Sequence, residues 1–600
     1  MKINLLILII LIFSHSKNAN AQTWTSLPEN MYADTLFAPF YHGVASGDPL
    51  NDAVVIWTRI TPNETQIEPI SLSWQIATDS LFIEIVQVGN GETNSSIDWT
   101  FKHDVTDLEA ATVYYYRFED ENGNFSPIGR TKTAPTNNDN TALKMAVASC
   151  SSIYSGFFNA YRRIGERNDL DLFIHLGDYL YDVVDENEEV RVPSPYPQAP
   201  NSLETWRQRH LYHLLDPDLR FVRQQQPILA LWDNHDMDDD DISISVQAFH
   251  EYLPTRESNI PIIRYQMLHY GDLLDILLLD ILLFRNIDPI PGGGFSMMGN
   301  TQYEWAKNEL LNSTAKWRIV ASQNMMGTWS TMGLPDLPVF EDDVFDPTSW
   351  DGFPAERERF LQFWKNNNIS NNIVISGDSH VSMAMDLTLF PLDSLTYNGD
   401  TGEGSLGVEI LPTSISRGNI DELGLPISLA ENAVNLSMEA NPHHVYEELT
   451  SHGYGILNIE ADSVRAEFWY SPILEISNEE VLAKSLVVLD GENHWKREDI
   501  VGLSENVTRS ILGLEVSNIY PNPAKNEQIS CKVLAQKNTH YTFEIVQLAT
   551  GKKVFETEKQ MILGQQETIF DFDVKGWKSG VYVLLCKVEN EVLARKFFVE

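Results

Sequence analysis

Three patterns of apolar and polar positions divide the chain. From about residue 35 to 136, apolar residues alternate with polar ones in short runs. These include AVVIWTRI at 53–60, the alternating Leu72, Trp74 and Ile76, and TVYYYRFE at 112–119. Turn residues such as Asn90-Gly91 and Asn122-Gly123 separate the runs. Period-two alternation punctuated in this way predicts an antiparallel β-sandwich. From about residue 142 the alternation gives way to continuous apolar runs at 143–148, 170–176, 227–232, 273–279, 317–321 and 373–375. Helical spacing lies between several of them, as at 156–167 and 302–312. Strands buried on both faces and separated by helices predict a parallel α/β domain, assigned to 142–500. Strand-like runs at 407–411 and 454–469 belong to the same region. From 513 to 600 short runs at 540–547, 551–556, 567–572 and 580–588 predict a small all-β domain.

The termini and the composition add a compartment. Lys2, the apolar run 3–13 and Ala19-Asn20-Ala21 have the order of a signal peptide cleaved after Ala21. That run is too short to span a bilayer, and no later run is long enough, so no stable membrane span is expected. A net charge of -43 repels nucleic acid and anionic lipid, so no nucleic-acid groove is expected. Dense carboxylates also create demand for cations. Three cysteines, Cys150, Cys531 and Cys586, are too few for a disulfide scaffold in an exported chain of 600 residues. Cys531 and Cys586 could pair within the C-terminal domain, which leaves the Cys150 thiol to be explained.

The candidate chemistry lies immediately after the apolar runs. Residues 143–148 lead into Ser149-Cys150-Ser151, and 170–176 into Gly177-Asp178, with Tyr181 three residues on. Residues 227–232 lead into Asp233-Asn234-His235-Asp236, and 273–279 into Asp280. Residues 317–321 lead into Ser322-Gln323-Asn324, and 373–375 into Ser376-Gly377-Asp378-Ser379-His380. One carboxylate after a strand is explained by a turn; six such endings point to a shared site, because open parallel sheets bind ligands at the carboxyl ends of their strands. Asp, Asn and His with one thiolate suit metal ions, and a phenolate beside a thiolate favours a trivalent ion. Such a site serves phosphoryl transfer. The run Asp238–Asp241 reads as a solvated acidic turn rather than part of the site.

These motifs resemble the calcineurin-like metallophosphatase superfamily and, within it, the PhoD-type alkaline phosphatases. GDYLY at 177–181, DNHD at 233–236, GDSH at 377–380 and SCS at 149–151 carry the resemblance, with HGVASGDP at 42–49, EYLPTR at 251–256 and WDGFPAER at 350–357. The resemblance covers roughly residues 40–475. It implies a four-layer α/β/β/α core flanked by a fibronectin-like sandwich, whose tyrosine corner would be Leu108, Thr112 and Tyr114. It further implies one Fe3+ and two Ca2+ ions, with Zn2+ or Mn2+ as substitutes. Cys150, Asp178 and Tyr181 would hold the iron, Asp178 would bridge, and Asp233, Asn234, Asp378 and His380 would complete the ligands. His235 would act as a leaving-group acid and Arg256 as a clamp on phosphate oxygens. The expected activity is hydrolysis of phosphomonoesters or phosphodiesters; the competing readings are a diester-preferring phosphodiesterase or phospholipase and a non-catalytic surface protein. Two departures from the pattern are Asn234, where many relatives carry Asp, and the acidic run at 238–241. The C-terminal segment, with YPNPA at 520–524 and RKFFVE at 595–600, resembles a type IX secretion sorting domain. That implies contact with the secretion machinery and a secreted or cell-surface location.

Overall fold

The computed structural model describes residues 31–497 and, within 508–599, the strands and a few connecting residues. Inside 31–497 it leaves out residues 64, 184–188, 193–194, 197, 239, 257, 259, 286–288, 291–292, 331–347 and 420–426. The expected signal peptide lies outside the described residues. The chain forms two compact units, Met1–Arg497 and Glu498–Glu600.

Two sheets face each other in the first unit. At the centre of a nine-stranded sheet, Leu143–Ala148, Leu172–His175 and Pro227–Ala230 run parallel. In a seven-stranded sheet Leu274–Leu278, Trp317–Ser322, Asn372–Ser376 and Gly407–Leu411 run parallel. Alternate residues of each strand enter a common core: Met145, Val147 and Ile174 from the first sheet meet Ile276, Ile319 and Ile375 from the second. The intervening residues face outward, Ala146 and Phe173 among the first set of helices and Leu277, Val320 and Val374 among the second. The helices Asn159–Glu166, Leu203–His213, Pro217–Gln225 and Ile242–Tyr252 cover one sheet. Gly299–Asn312 and Pro354–Asn366 cover the other. This four-layer α/β/β/α arrangement explains the uninterrupted apolar runs: each central strand is buried on both faces. Because the central strands are parallel, the ends of each sheet's runs open on one rim.

The N-terminal strands form the expected sandwich, but one of its sheets is shared. Ile85–Thr93, Ile70–Ala77, Val113–Asp120 and Gly129–Lys132 make a four-stranded sheet. Facing it across a core of Ile56, Trp74, Tyr116 and Phe118 are Val44–Gly47, Val54–Arg59 and Thr100–Val105. These strands continue the nine-stranded sheet, Val44–Gly47 pairing in parallel with Pro227–Ala230. The tyrosine corner is present: the Glu109 backbone N–H donates to the Tyr114 hydroxyl at 2.8 Å. Tyr114 is buried, so Tyr114→Phe leaves that N–H without its partner. It is expected to cost about 1–3 kcal/mol, read as a shift in the denaturation midpoint.

Asp238 and Asp241 of the acidic run are structural. Asp238 accepts from the Asp240 and Asp241 N–H groups and from the Trp206 indole, and Asp241 caps the helix Ile242–Tyr252. In the second unit the strands of two sheets enclose a core that includes Cys531 and Cys586. Both are thiols there, so the pairing that cysteine counting allowed is not made: Cys531 lies opposite Phe570, and Cys586 opposite Phe543 and Leu593. Among the described residues no helix is long and apolar enough to cross a membrane.

Candidate active site

Both sheets deliver residues to one cluster. Cys150, Asp178 and His380 come together so closely that one ligand atom from each lies within 4.8 Å of the others. The Tyr181 hydroxyl joins them, donating to Asp178 Oδ2 at 2.8 Å and lying 3.2 Å from His380 Nε2. His380 Nδ1 donates to the Gly418 carbonyl at 3.0 Å, which leaves Nε2 as the nitrogen facing Tyr181. The His235 backbone N–H donates to Asp178 Oδ1 at 3.2 Å, and its Nδ1 pairs with Asp182 at 2.7 Å. On the side of the second sheet, Asn324 Nδ2 donates to Asp378 Oδ2 at 2.7 Å.

The backbone is strained where the ligand candidates stand. Cys150, Asp178, Asp378 and His380 have φ values of +59°, +53°, +68° and +59°. Non-glycine residues avoid this region at a cost of about 1–3 kcal/mol each, and such strain persists where the surrounding contacts over-determine it. Here they do. The Cys150 N–H donates to Gly177 O, and the Cys150 carbonyl accepts from the N–H groups of Ser416 and Arg417. Gly177 has φ +117°, and a Cβ there would meet Asp233 Cβ at 2.6 Å, so the GD turn and the Asp233 turn press directly together.

Asp236 fixes their spacing. Its carboxylate accepts from the backbone N–H groups of Tyr179, Leu180 and Asp233, at 3.2, 3.1 and 3.0 Å. Burial, then the Asp178 charge, pushes its carboxyl up to about 8, and the three N–H donors oppose the shift. His213 does similar work for Tyr181. Its Nδ1 donates to the Arg209 carbonyl at 2.9 Å, and its Nε2 accepts the Tyr181 N–H at 3.3 Å. Burial holds its pKa down at about 4, consistent with the neutral tautomer.

The cluster is also electrostatically frustrated. Burial, then Asp178 and Asp378, raises the Cys150 thiol; burial, then Asp178 and Cys150, raises the Tyr181 phenol. Burial, then Asp378 and Asp178, raises Asp233. Three carboxylates, a thiol and a phenol that repel one another as anions are a donor set that a cation would relieve.

A family model for the PhoD-like phosphatase matches residues 145–243 and 241–468 of this sequence, more than half of the chain. The chain belongs to the PhoD-like phosphatase family. The model for that family's N-terminal domain matches residues 28–135, and the secretion system C-terminal sorting domain matches 518–600. The alkaline phosphatase D of Bacillus subtilis (strain 168) is 30% identical over 423 residues, which cover 63% of this chain and 70% of that protein. A solved structure of PhoD has 26% identity and a TM-score of 0.66, covering 79% of this chain and 93% of that one. The chain is therefore a phosphoric ester hydrolase, and its cluster lies within the region that the family model matches.

Within this family frame, Cys150, Asp178, Tyr181 and His380 adjoin one another, with His235 and Asp233 on the abutting turn and Asp378 reached through Asn324. Asn234 begins the short helical turn after Asp233, and its N–H donates to Asp233 Oδ1 at 2.9 Å. Arg256 stands apart and does not have the placement expected of a phosphate clamp. Its Nε and Nη2 both donate to Asp104 at 2.7 Å, its Nη1 to the Asp48 carbonyl and its N–H to Asp48 Oδ2. The N-terminal strands supply both acidic residues, so this guanidinium joins them to the catalytic region. Asp280, the fourth strand ending, is structural: it accepts from the Trp232 indole and from the N–H groups of Leu282 and Leu283. Asp182 and His213 are supports outside the strand endings, and Asp236, the last residue of the Asp233–Asp236 ending, acts as a support rather than as a ligand candidate. Asp182 stands one residue beyond the GDYLY motif; nothing in the sequence separates His213 from a packing residue.

Proposed function

We propose that the chain is an exported, metal-dependent phosphatase whose first cation is held by Cys150, Asp178, Tyr181 and His380. Asp233, Asn234 and Asp378, together with Asp178, would hold a second cation. The observation that carries this reading is the convergence of a buried thiol and carboxylate with the partly buried His380 imidazole within 4.8 Å, joined by the buried Tyr181 phenol, which contacts Asp178 and His380. A thiolate with a phenolate favours Fe3+ at the first position, and the oxygen donors favour Ca2+ at the second. When bound, such ions polarise a phosphoryl oxygen and lower the pKa of a water molecule. The chain's own residues supply the rest. Asp182 orients His235, whose Nε2 is the atom to hold or deliver a proton at the leaving oxygen. The His235 backbone N–H aims one oxygen of Asp178. Asn324 aims Asp378. Export rests on the sorting-domain match together with the signal-peptide pattern at 1–21.

The test is elemental analysis and absorption spectroscopy of the purified protein. A charge-transfer band is expected that disappears in Tyr181→Phe and shifts or is lost in Cys150→Ala, with hydrolysis of a nitrophenyl phosphate abolished by chelation and restored by adding metal back. Both variants retaining the wild-type spectrum and full activity would overturn the assignment of these two ligands.

A further inference from the structure

With Arg256 committed to Asp104 and Asp48, the cluster needs another cation for an anionic substrate. The arginines of the first unit are otherwise heavily used. Arg162, Arg207, Arg264 and Arg357 each close an ion pair, with Asp218, Glu251, Asp48 and Asp351. Arg417 lies over the Tyr181 ring at 5.0 Å, its backbone N–H holds the Cys150 carbonyl, and its charge acts on Tyr181, His235 and His380.

Arg285 is different. Among the described residues it makes no ion pair, although Asp233 and Asp280 are near enough to feel its charge. Its Nε donates to the Ile281 carbonyl at 3.2 Å and its Nη2 to Asn324 Oδ1 at 2.8 Å, while Nη1 is hydrogen-bonded to nothing among the described residues. Because Asn324 Oδ1 accepts from Arg285, its Nδ2 is the atom that donates to Asp378, and the amide has no freedom to flip. The guanidinium is thus two hydrogen bonds from a ligand candidate, and its charge opposes the upward shift of the Asp233 carboxyl. The turn that carries it is pinned by Asp280, which accepts the N–H groups of Leu282 and Leu283. The side chain is half-buried: fixed at Nε and Nη2, with the edge carrying Nη1 uncommitted. A planar guanidinium anchored on one edge and, among the described residues, unpaired on the other fits an incoming phosphoryl oxygen.

We propose that Arg285 contacts a non-bridging oxygen of the substrate and selects phosphomonoesters, whose phosphoryl group carries two negative charges, over phosphodiesters, which carry one. This rests on the phosphatase reading above and adds the substrate class. The second charge of a monoester must be brought toward Asp178, Asp233 and Asp378, and an unpaired arginine offsets it; a diester has less to gain from the same group.

The experiment compares kcat/KM for p-nitrophenyl phosphate and bis(p-nitrophenyl) phosphate in the full, metal-loaded protein, with inhibition by inorganic phosphate and thermal melting as further readouts. Arg285→Met is expected to lower the monoester value about 10- to 100-fold and the diester value no more than about 3-fold, and to weaken phosphate inhibition in step with the monoester loss. Arg285→Gln retains a donor for Asn324 without the charge, and is expected to shift the ratio in the same direction. Equal losses on both esters, or an Arg285→Gln protein with the wild-type ratio and phosphate inhibition, would show that Arg285 only positions Asn324 and would overturn the proposal. A wild-type protein that hydrolyses neither ester would instead sink the phosphatase reading, so the two failures are distinct.

Discussion

Asp178→Asn is expected to lower turnover of a nitrophenyl phosphate by about 10³-fold or more while the protein remains folded. The carboxylate sits where Cys150, Tyr181 and His380 converge, and one of its oxygens is aimed by the His235 N–H. An amide keeps an oxygen that can accept from His235, so the turn is held. It loses the negative charge and one of the two donor oxygens, which removes the ability to bridge. Charge stabilisation of a transferring phosphoryl group by metal is worth several kcal/mol, and roughly 4 kcal/mol corresponds to 10³ in rate. The check pairs kcat with metal content and the melting curve. Wild-type turnover in Asp178→Asn would remove Asp178 from the site, and lost turnover with wild-type metal content would limit it to a role other than metal binding.

The second large effect falls on stability. Asp236→Ala is expected to destabilise the first unit by roughly 3–9 kcal/mol, because three buried backbone N–H groups lose their acceptor at about 1–3 kcal/mol each. Those donors belong to Tyr179, Leu180 and Asp233, so the same change lets the two ligand-bearing turns slide apart. Activity should fall with stability even at temperatures where the variant is folded. Asp236→Asn retains one acceptor oxygen and should fall between the two. A denaturation midpoint in Asp236→Ala equal to that of the wild type would mean that water or backbone rearrangement replaces the carboxylate.

The contrast between Asp178 and Asp236 shows what was legible in the sequence. Strands buried on both faces leave an unbroken apolar signature, and the residue that follows such a run is carried to the rim whatever the rest of the chain does. Cys150, Asp178, Asp233, Asp378 and His380 could all be located that way. Asp236 acts by receiving N–H groups from residues 56 and 57 positions earlier, His213 through the Tyr181 N–H, and Asn324 through Arg285 and Asp378; none of these contacts leaves a periodic trace. Arg256 marks the converse limit. Its motif identifies an arginine at the end of a helix and turn, but only the fold shows that Asp104 and Asp48 reach it first. The N-terminal strands were likewise visible as strands, whereas the pairing of Val44–Gly47 with Pro227–Ala230, far along the chain, was not.

That pairing has a mechanical meaning. The two family models meet between residues 135 and 145, the natural place to divide the chain by sequence comparison alone. Yet Pro227–Ala230 has Leu172–His175 on one flank and Val44–Gly47 on the other. A catalytic fragment beginning at that border would present the second flank as a row of unsatisfied N–H and C=O groups, a template for pairing with another chain and for aggregation. The border between the two matched regions is not a seam along which the molecule can be opened.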